Sequence, residues 1–514
     1  METTITTDRE REAARAAPAT PNASNEAYRR KLERVDAPPL SEMFQGMNML
    51  KHIDPKYFHE MERALERARR LAREEAAPLV LEVDRALQRD PEDLEPVWEL
   101  VRLAGRAGMF SLLIPKRYGG AGLPLFASAV IWEELCSVCA GFGNLVGAHY
   151  LGYLPLYASM KLRTWEKVCR EITATECSER PVIMSLSLTE PLVGSDHGEA
   201  ELIPGAKIQS EATPVPGGYR LNGTKVFISN GSVSGYSLVI APTDRTRKLE
   251  TLTAFVVPAS AKGFHVDRDE HKMGQKACPA TVMVYEDVFV PESHRVMPVG
   301  GLAKVLDIMG PTRICVGAIS TGIARGAYEK ARDLAMTHTM RGKPIIQHQW
   351  AQVILSEMMM NVHTARATYT EAGYCDLAWG TGKSVPMVRG GYRLKQLADR
   401  AMDTEVAKRF TDDEDRVAAL LDRVLAMKSV NVPMEAGYGS VAKVKCSDAA
   451  MINAALALDL AGKAGLRHDR CLEKIFRDAK LVQIYEGTNE LNRLSFFQRF
   501  VAKMDPSIHV FDRE

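Results

Sequence analysis

Apolar residues recur along this chain with two different periods, and the change of period divides it. After Pro55, Met61, Leu65, Ala68 and Ala72 follow one another at three- and four-residue intervals. That spacing predicts an amphipathic helix, kinking or stopping near Pro78. Helical patterns continue to about residue 178, punctuated by the glycine-rich turn Pro115-Lys-Arg-Tyr-Gly-Gly-Ala-Gly122. Between residues 184 and 291 the period shortens. Runs at 219–221, 225–229, 236–240, 253–257 and 281–285, separated by turn signals, predict a small antiparallel β domain. Beyond Val299 helical patterns return and reach about Lys503. Within them, Trp379-Gly-Thr-Gly-Lys-Ser-Val-Pro386 and the charged segment 411–416 mark an insertion at about 380–440. The first fifty residues, rich in Ala, Thr, Asn, Pro and charge, read as a disordered or loosely docked arm. The expected organisation is an arm (1–50), an N-terminal helical domain (51–180), a central β domain (181–292) and a C-terminal helical bundle (293–505). The fold class is mainly α with strands segregated in the middle.

Composition narrows what such a chain does. Its 514 residues, 46% hydrophobic and 25% charged, suffice for about three packed units. The 66 Lys and Arg against 65 Asp and Glu leave a formal net charge of +1, which argues against nucleic acid as a partner. The best apolar stretch, 449–462, is interrupted by Asn453 and Asp459 and falls short of the roughly 18 residues of a transmembrane segment. Asp8, Glu10 and Glu12 argue against a secretory signal or a transit peptide, so a cytoplasmic location is expected. Nine scattered cysteines suit a reducing compartment. Cys136 and Cys139 form a C-x-x-C, but their segment reads as a helix interior, which predicts buried thiols rather than a redox pair. The twelve histidines show no ligand spacing, so no metal site is expected.

Three segments carry candidate chemistry. Leu186-Ser-Leu-Thr-Glu-Pro-Leu-Val-Gly-Ser-Asp196 is a strand end running into a turn, suited to an anion site or to an ordinary hairpin corner. In Leu221-Asn-Gly-Thr-Lys-Val-Phe-Ile-Ser-Asn-Gly231, Asn222-Gly223 is a hairpin signal, and Phe227 and Ser229 share one face of the next strand. An aromatic ring and a hydroxyl on one face frame a flat cofactor, or else form a core Phe beside a satisfied Ser. In the third segment, 475–490, a helix ending near Tyr485 meets Gly487 and leaves Glu486 at the boundary, flanked by Ile484 and Tyr485. A poorly hydrated carboxylate there is a candidate base; the alternative is a solvated helix-terminal residue.

Together these segments resemble the acyl-CoA dehydrogenase family over roughly residues 60 to 505. The resemblance lies in the order and spacing of Pro115 to Gly120, Thr189-Glu-Pro, Lys225-Val-Phe-Ile-Ser-Asn-Gly231, Lys272-Met-Gly274, Phe289-Val-Pro291, Gly342-Lys-Pro344 and Arg477-Asp-Ala-Lys-x-x-Gln-Ile-Tyr-Glu-Gly-Thr488. It implies an N-terminal helical domain, a central β domain and a C-terminal four-helix bundle, assembled as a homo-oligomer, with FAD at a subunit contact. It implies oxidation of an acyl-CoA thioester to the 2,3-enoyl-CoA. A glutamate removes the α-proton and flavin N5 takes the β-hydride, and electron transfer flavoprotein or a similar carrier is the reoxidant.

By this resemblance Glu486 is the base. Its backbone N–H and a ribityl hydroxyl of FAD would polarise the thioester oxygen. Leu188, Thr189, Phe227 and Ser229 would border the isoalloxazine, and Ser195 would lie between cofactor and CoA. Arg313 and Gly487 fall at the substrate site, and Thr488 and Glu490 on the adenine side of FAD. Arg341 and Gln349 complete the cofactor set, with Arg341 supplying charge to the FAD of a neighbouring subunit. The chain departs from the pattern in three places: Phe227-Ile-Ser229 for Trp-Ile-Thr, His338 and Arg341 for an Arg and a Phe, and Asp459-Leu-Ala-Gly-Lys463 for Gln-x-x-Gly-Gly. A second branch of the family places its base one residue before the matched arginine, which here is Thr312, leaving Glu486 alone. An acyl-CoA oxidase of the same fold is the alternative activity. Between Tyr118 and Met160 there is no Lys or Arg, only Glu133 and Glu134, while Gly141, Gly143, Gly147 and Gly152 leave room for bulk. A monocarboxylic acyl chain, whether linear, branched or cyclic, is therefore expected over a dicarboxylic one.

Overall fold

The computed structural model describes residues 38–43, 50–52, 54–302, 310–379, 391–413, 415–419, 432–505 and 507–511. Most of the expected arm and part of the expected insertion lie outside the described residues. The end of the arm that is described is docked: Leu40 and Met43 are buried, and the Arg69 guanidinium donates to the Pro38 carbonyl.

Helix α1 (Pro55–Arg70) starts where Asp54 accepts the Tyr57 N–H at 3.1 Å and Pro55 takes the first position. It widens into a π turn, Leu71–Ala76, and resumes past Pro78 as α2 (Val80–Arg89), so the expected break falls at that proline. After α3 (Glu95–Arg106), helices α4 (Leu125–Val138) and α5 (Ala140–Ala158) are apolar on every side and buried over nearly their whole length. That is the pattern of helices at the centre of a domain. Helix α6 (Leu162–Thr175) follows. The expected uninterrupted helix through the C-x-x-C is corrected: Cys139 is extended, with φ −153° and ψ 113°, between α4 and α5. Both thiols are free and buried, and burial raises the pKa of each.

The middle of the chain forms two sheets, one of them not purely antiparallel. Strand β1 (Met184–Ser187) pairs parallel with β4 (Tyr236–Pro242), which pairs antiparallel with β5 (Leu252–Pro258). The second sheet has the order β2 (Glu211–Val215), β3 (Gly218–Ser229), β7 (Ala280–Pro291), β6 (Phe264–Asp269), all antiparallel. The hairpin expected at Asn222-Gly223 is a bulge instead, and 219–221 and 225–229 belong to one strand, β3, paired with β7 on both sides of it. Gly223 has φ 144° and its α-carbon faces Ser210 so closely that a Cβ would sit 2.4 Å from that side chain, while Asn222 Oδ1 accepts the Asp287 N–H at 2.8 Å. The same residue types that suit a tight turn thus serve a bulge.

The helical bundle is built from α7 (Gly310–Thr337), α8 (Gln349–Trp379), α11 (Val432–Ala461) and α13 (Asn489–Phe500), with α12 (Leu472–Leu481) against α11. Between α8 and α11 lie α9 (Gly391–Met402) and α10 (Glu405–Thr411), the described part of the expected insertion. They dock on α6 through Arg163 to Glu405 and Asp412, both at 3.0 Å, and Tyr118 donates to Asp403 at 2.7 Å. One stretch among the described residues, 437–466, is long and apolar enough to cross a membrane by length and composition, a correction to the sequence expectation. It contains most of α11, which packs among α7, α8 and α13 with Lys443 and Asn453 fully buried.

Candidate functional site

The segment between α12 and α13 brings the sequence motifs together. Helix α12 stops at Leu481, four residues before the expected end near Tyr485. The reason lies in the backbone: Glu486 (φ 58°) and Gly487 (φ 79°) are both left-handed, and the Asn489 N–H closes the turn on the Gln483 carbonyl at 3.0 Å. A non-glycine residue in that conformation costs on the order of 1 kcal/mol or more and persists only where its surroundings fix it. They do so here. Asn492 Nδ2 donates to the carbonyls of Glu486, Gly487 and Thr488 at 3.3, 3.0 and 3.0 Å. Thr488 caps α13, its hydroxyl accepting the Leu491 N–H at 3.2 Å.

Two distant segments converge on this turn. Thr312, in the first turn of α7, donates to Glu486 Oε1 at 2.6 Å. Ser195 Oγ accepts the Thr488 N–H at 3.3 Å. Arg313 is buried beside Thr312 and turned elsewhere: it donates to Glu199 and to Ser440 Oγ, both at 3.1 Å. Glu199 in turn receives Ser495 and, at 3.2 Å, Arg499. A buried guanidinium demands a carboxylate, so Arg313 is committed to this pair rather than presented as a free cation.

The residues expected around a flat cofactor form a second group. The Leu188 carbonyl accepts Lys225 Nζ at 3.1 Å and the Thr189 carbonyl accepts the Val226 N–H at 2.9 Å. Phe227 comes next, at a second bulge of β3 between Lys225 and Ile228, with φ 56° and 60% of its surface exposed. Beyond the bulge alternation holds, so Ile228 is buried and Ser229 half-buried on the Phe227 side. Behind this platform the buried Lys225 and Glu190 pair at 2.8 Å. Burial opposes charge on Glu190, but Lys225, Ser210 and the Gln209 N–H together hold its carboxyl below the ordinary range. His197, buried nearby, is pushed down to about 3, first by burial and then by the charge of Lys225, and is neutral at ordinary pH. An exposed ring on a fixed bulge, beside Thr189 and Ser229, fits the isoalloxazine of FAD.

The two groups are joined by the 189–195 stretch, whose Thr189 carbonyl meets β3 and whose Ser195 hydroxyl meets the Thr488 N–H. Arg341 and Gln349 stand apart. Arg341 is exposed in the hairpin of Thr339–Met340 with Lys343–Pro344, and Gln349 is exposed at the start of α8. Among the described residues no hydrogen bond links either to Phe227 or Glu486. Glu490 is likewise exposed, on the first turn of α13. Asp84, His468 and Glu473 lie close enough together to hold a metal ion, but Arg477 already bridges Asp84 and Glu473 at 2.7 Å each.

Three residues went unnoticed in the sequence: Lys443, Asn489 and Asn492, which bind or brace the Glu486 turn. For Lys443 a signal was present. On a helix its face is shared with Ser440, Cys446 and Ser447, a small-residue face that is buried throughout.

Sequence profiles of the acyl-CoA dehydrogenase family match the chain in order: the N-terminal domain over 59–164, the middle domain over 185–288, and the C-terminal domain over 300–428 and 396–500. The chain is 29% identical over 451 residues to the cyclohex-1-ene-1-carbonyl-CoA dehydrogenase of Geobacter metallireducens, covering 87% of this chain and 98% of that protein. Its fold resembles the butyryl-CoA dehydrogenase of Megasphaera elsdenii with a TM-score of 0.63 at 25% identity, covering 85% of this chain and 97% of that one. It also resembles an acyl-CoA dehydrogenase of Bacillus anthracis complexed with FAD, with a TM-score of 0.65 at 24% identity, covering 88% of this chain and 68% of that one. The chain belongs to the acyl-CoA dehydrogenase family, whose members are FAD-dependent oxidoreductases acting on acyl-CoA.

Proposed function

We propose that the chain removes hydrogen from the α,β bond of an acyl-CoA thioester, with Glu486 as the base. The observation that carries this reading is the contact of Thr312 Oγ1 with Glu486 Oε1 at 2.6 Å: the two positions at which this family's base is expected meet in space, and only one holds a carboxylate. The Thr312 hydroxyl occupies Oε1 and orients the carboxylate, leaving Oε2 to take the α-proton. The left-handed turn has a second consequence. Among the described hydrogen bonds the Glu486 N–H has no acceptor, so it is free to donate to a thioester oxygen as negative charge develops there. FAD, bordered by Leu188, Thr189, Phe227 and Ser229, supplies the hydride acceptor when bound. Ser195 lies between the two groups and reaches the Glu486 loop. Electron transfer flavoprotein or a similar carrier is the proposed reoxidant, by likeness to the family.

A compact monocarboxylic acyl group, branched or cyclic, is the proposed substrate, in keeping with the cyclohexene-carbonyl thioester named for the Geobacter relative. The exposed hairpin carrying Arg341 suits contact with the cofactor of a second copy in a homo-oligomer. The test is anaerobic mixing of FAD-loaded protein with a panel of acyl-CoA thioesters, watching the oxidised flavin band. Glu486→Gln should keep bound FAD and reduce it slower by about 10²–10⁴-fold, the usual worth of a general base. Reduction at the wild-type rate in that variant overturns the assignment. Reoxidation by air at turnover rates, with one peroxide per substrate, would make the enzyme an oxidase.

A further inference from the structure

Lys443, on α11, is fully buried, and the described residues include no carboxylate within ion-pair distance of it. Among the described residues its one hydrogen bond is to Asn489 Oδ1, at 2.6 Å. An isolated buried ammonium is costly, which makes the position notable: Asn489 is the first residue of α13, three residues beyond Glu486. The amide of Asn489 is oriented by its other contacts, because Nδ2 donates to Ser447 Oγ at 2.9 Å and to Asp448 Oδ1 at 2.8 Å. Asp448 Oδ1 also accepts Gln483 Nε2 at 2.9 Å. One helix, α11, therefore grips the loop on both sides of Glu486, with Lys443 one turn before the adjacent Ser447 and Asp448. Ser447 Oγ also donates to Asn489 Oδ1, at 3.1 Å, as a neutral donor, and Asp448 is a shared acceptor; Lys443 alone brings a charge-assisted donor.

We propose that Lys443 is the positioning residue of this loop, acting through Asn489 to hold Glu486 in its left-handed turn against Thr312; this rests on the reading of Glu486 as the base. The bond is also sensitive to pH. Burial is the largest influence on Lys443 and draws it down to about 7, with Arg313 adding to the fall and Glu486, Glu490 and Asp448 opposing it. The ammonium thus gives way to the amine as pH rises through neutrality, and the charge-assisted part of the Asn489 bond goes with it.

The experiment is the rate constant of anaerobic flavin reduction at saturating acyl-CoA, followed across neutral pH in FAD-loaded wild type, Lys443→Met, Asn489→Ala and the double variant. Each single variant should keep the flavin spectrum and the substrate dissociation constant while slowing reduction by about 10- to 100-fold, as expected for a displaced catalytic group. The double variant should be no slower than Asn489→Ala, which already removes the Lys443 contact together with the Asn489 bonds to Ser447 and Asp448. The wild type should lose rate on the alkaline side near 7, and both single variants should lack that decline. Additive losses in the double variant, or a wild-type rate and pH profile in Lys443→Met, overturn the proposal. If Lys443→Met releases FAD, Asn489→Ala carries the test through its pH profile: its bonds to Ser447 and Asp448 go as well, but only the Lys443 contact titrates near neutrality, so the alkaline decline should be gone. Glu486→Gln keeps the two readings separable. Wild-type reduction in that variant removes the base itself, whereas slow reduction there with a normal rate in Lys443→Met removes only the positioning role.

Discussion

Phe227 keeps 60% of its surface open while its backbone sits at φ 56°, two costs that a single chain does not recover from its own core. An aromatic ring left in water at a strained bulge suits the flavin contact proposed for it. Covering such a side chain with an apolar ring system is worth about 1.5–3 kcal/mol, or roughly 10- to 100-fold in a dissociation constant. Phe227→Ala should therefore weaken FAD binding by that factor, measured by recovery of flavin fluorescence on dilution, while Phe227→Trp should bind FAD as well as the wild type. Equal FAD retention in Phe227→Ala would remove Phe227 from the cofactor site. Position in the sequence singled out Phe227 and Glu486, because both lie in motifs read by residue type. The left-handed conformation at each was not legible, since it arises from a bulge register and from Asn492 reaching back over the turn.

Among the elements, α4 and α5 are the ones that the proposed function makes the lining of the acyl pocket. Four glycines, Gly141, Gly143, Gly147 and Gly152, read as room for bulk, and the structure divides them. A Cβ would meet the Gln275 backbone at 3.0 Å from Gly141, the Cys136 sulfur at 2.2 Å from Gly143 and the Ser185 carbonyl at 2.6 Å from Gly152. These three let the chain pack closely, so they enclose no space. Only Gly147 has room for a Cβ, which would meet Ile319 at 3.6 Å and the Trp132 indole at 3.8 Å in ordinary contact. Glycine signals close approach and open space alike, and a single sequence does not separate them. The absence of Lys and Arg from 118–160 still supports the proposal, because the cations that reach this stretch from elsewhere are paired: Arg366 to Glu133, Arg325 to Glu134 and Glu329, Lys474 to Asp478 and Arg117 to Asp403. A second carboxylate on the substrate would lose its hydration with no partner there, costing several kcal/mol, while an apolar tail gains about 0.8 kcal/mol per buried CH₂. Butyryl-, branched or cyclic acyl-CoA should thus exceed glutaryl- and succinyl-type thioesters in kcat/KM by about two orders of magnitude, if near 3 kcal/mol of that cost is felt in the transition state. Steady-state rates for the paired thioesters check this. A dicarboxyl preference would turn attention to the 380–440 segment, where the side chains of Arg389, Arg393 and Lys395 lie outside the described residues.

At the scale of the whole molecule, Glu133 and Glu134 join the N-terminal helices to the bundle. Gly322 and Gly326 bring α7 so close to α4 that a Cβ would sit 2.4 Å from the Glu133 carbonyl and 2.3 Å from that of Ser137. Glu134, fully buried there, takes Arg325 at 2.9 Å from α7, Arg73 at 2.8 Å and Arg69 at 3.3 Å. Burial alone would raise its pKa, but the three guanidinium groups outweigh it and hold the carboxyl at about 2. None of this was legible in the sequence, where Glu133 and Glu134 were merely the two charges of an apolar stretch; their partners come from helices up to 236 residues away. The folded-state pKa lies below the ordinary value of 4.5, so the stabilisation is fully present above that value and drains away as pH falls from there towards 2. A shift of this size corresponds to roughly 3 kcal/mol. Glu134→Gln should leave the buried Arg325 and the half-buried Arg69 and Arg73 short of charge and lower stability at neutral pH by about 3–5 kcal/mol. It should also flatten the acid side of the stability profile by up to one proton equivalent. Urea midpoints of the FAD-loaded protein at neutral pH and through the acid range measure both effects. An unchanged neutral midpoint with an unchanged acid slope would mean that the arginines find other partners, and that Glu134 does not bind the two helical domains together.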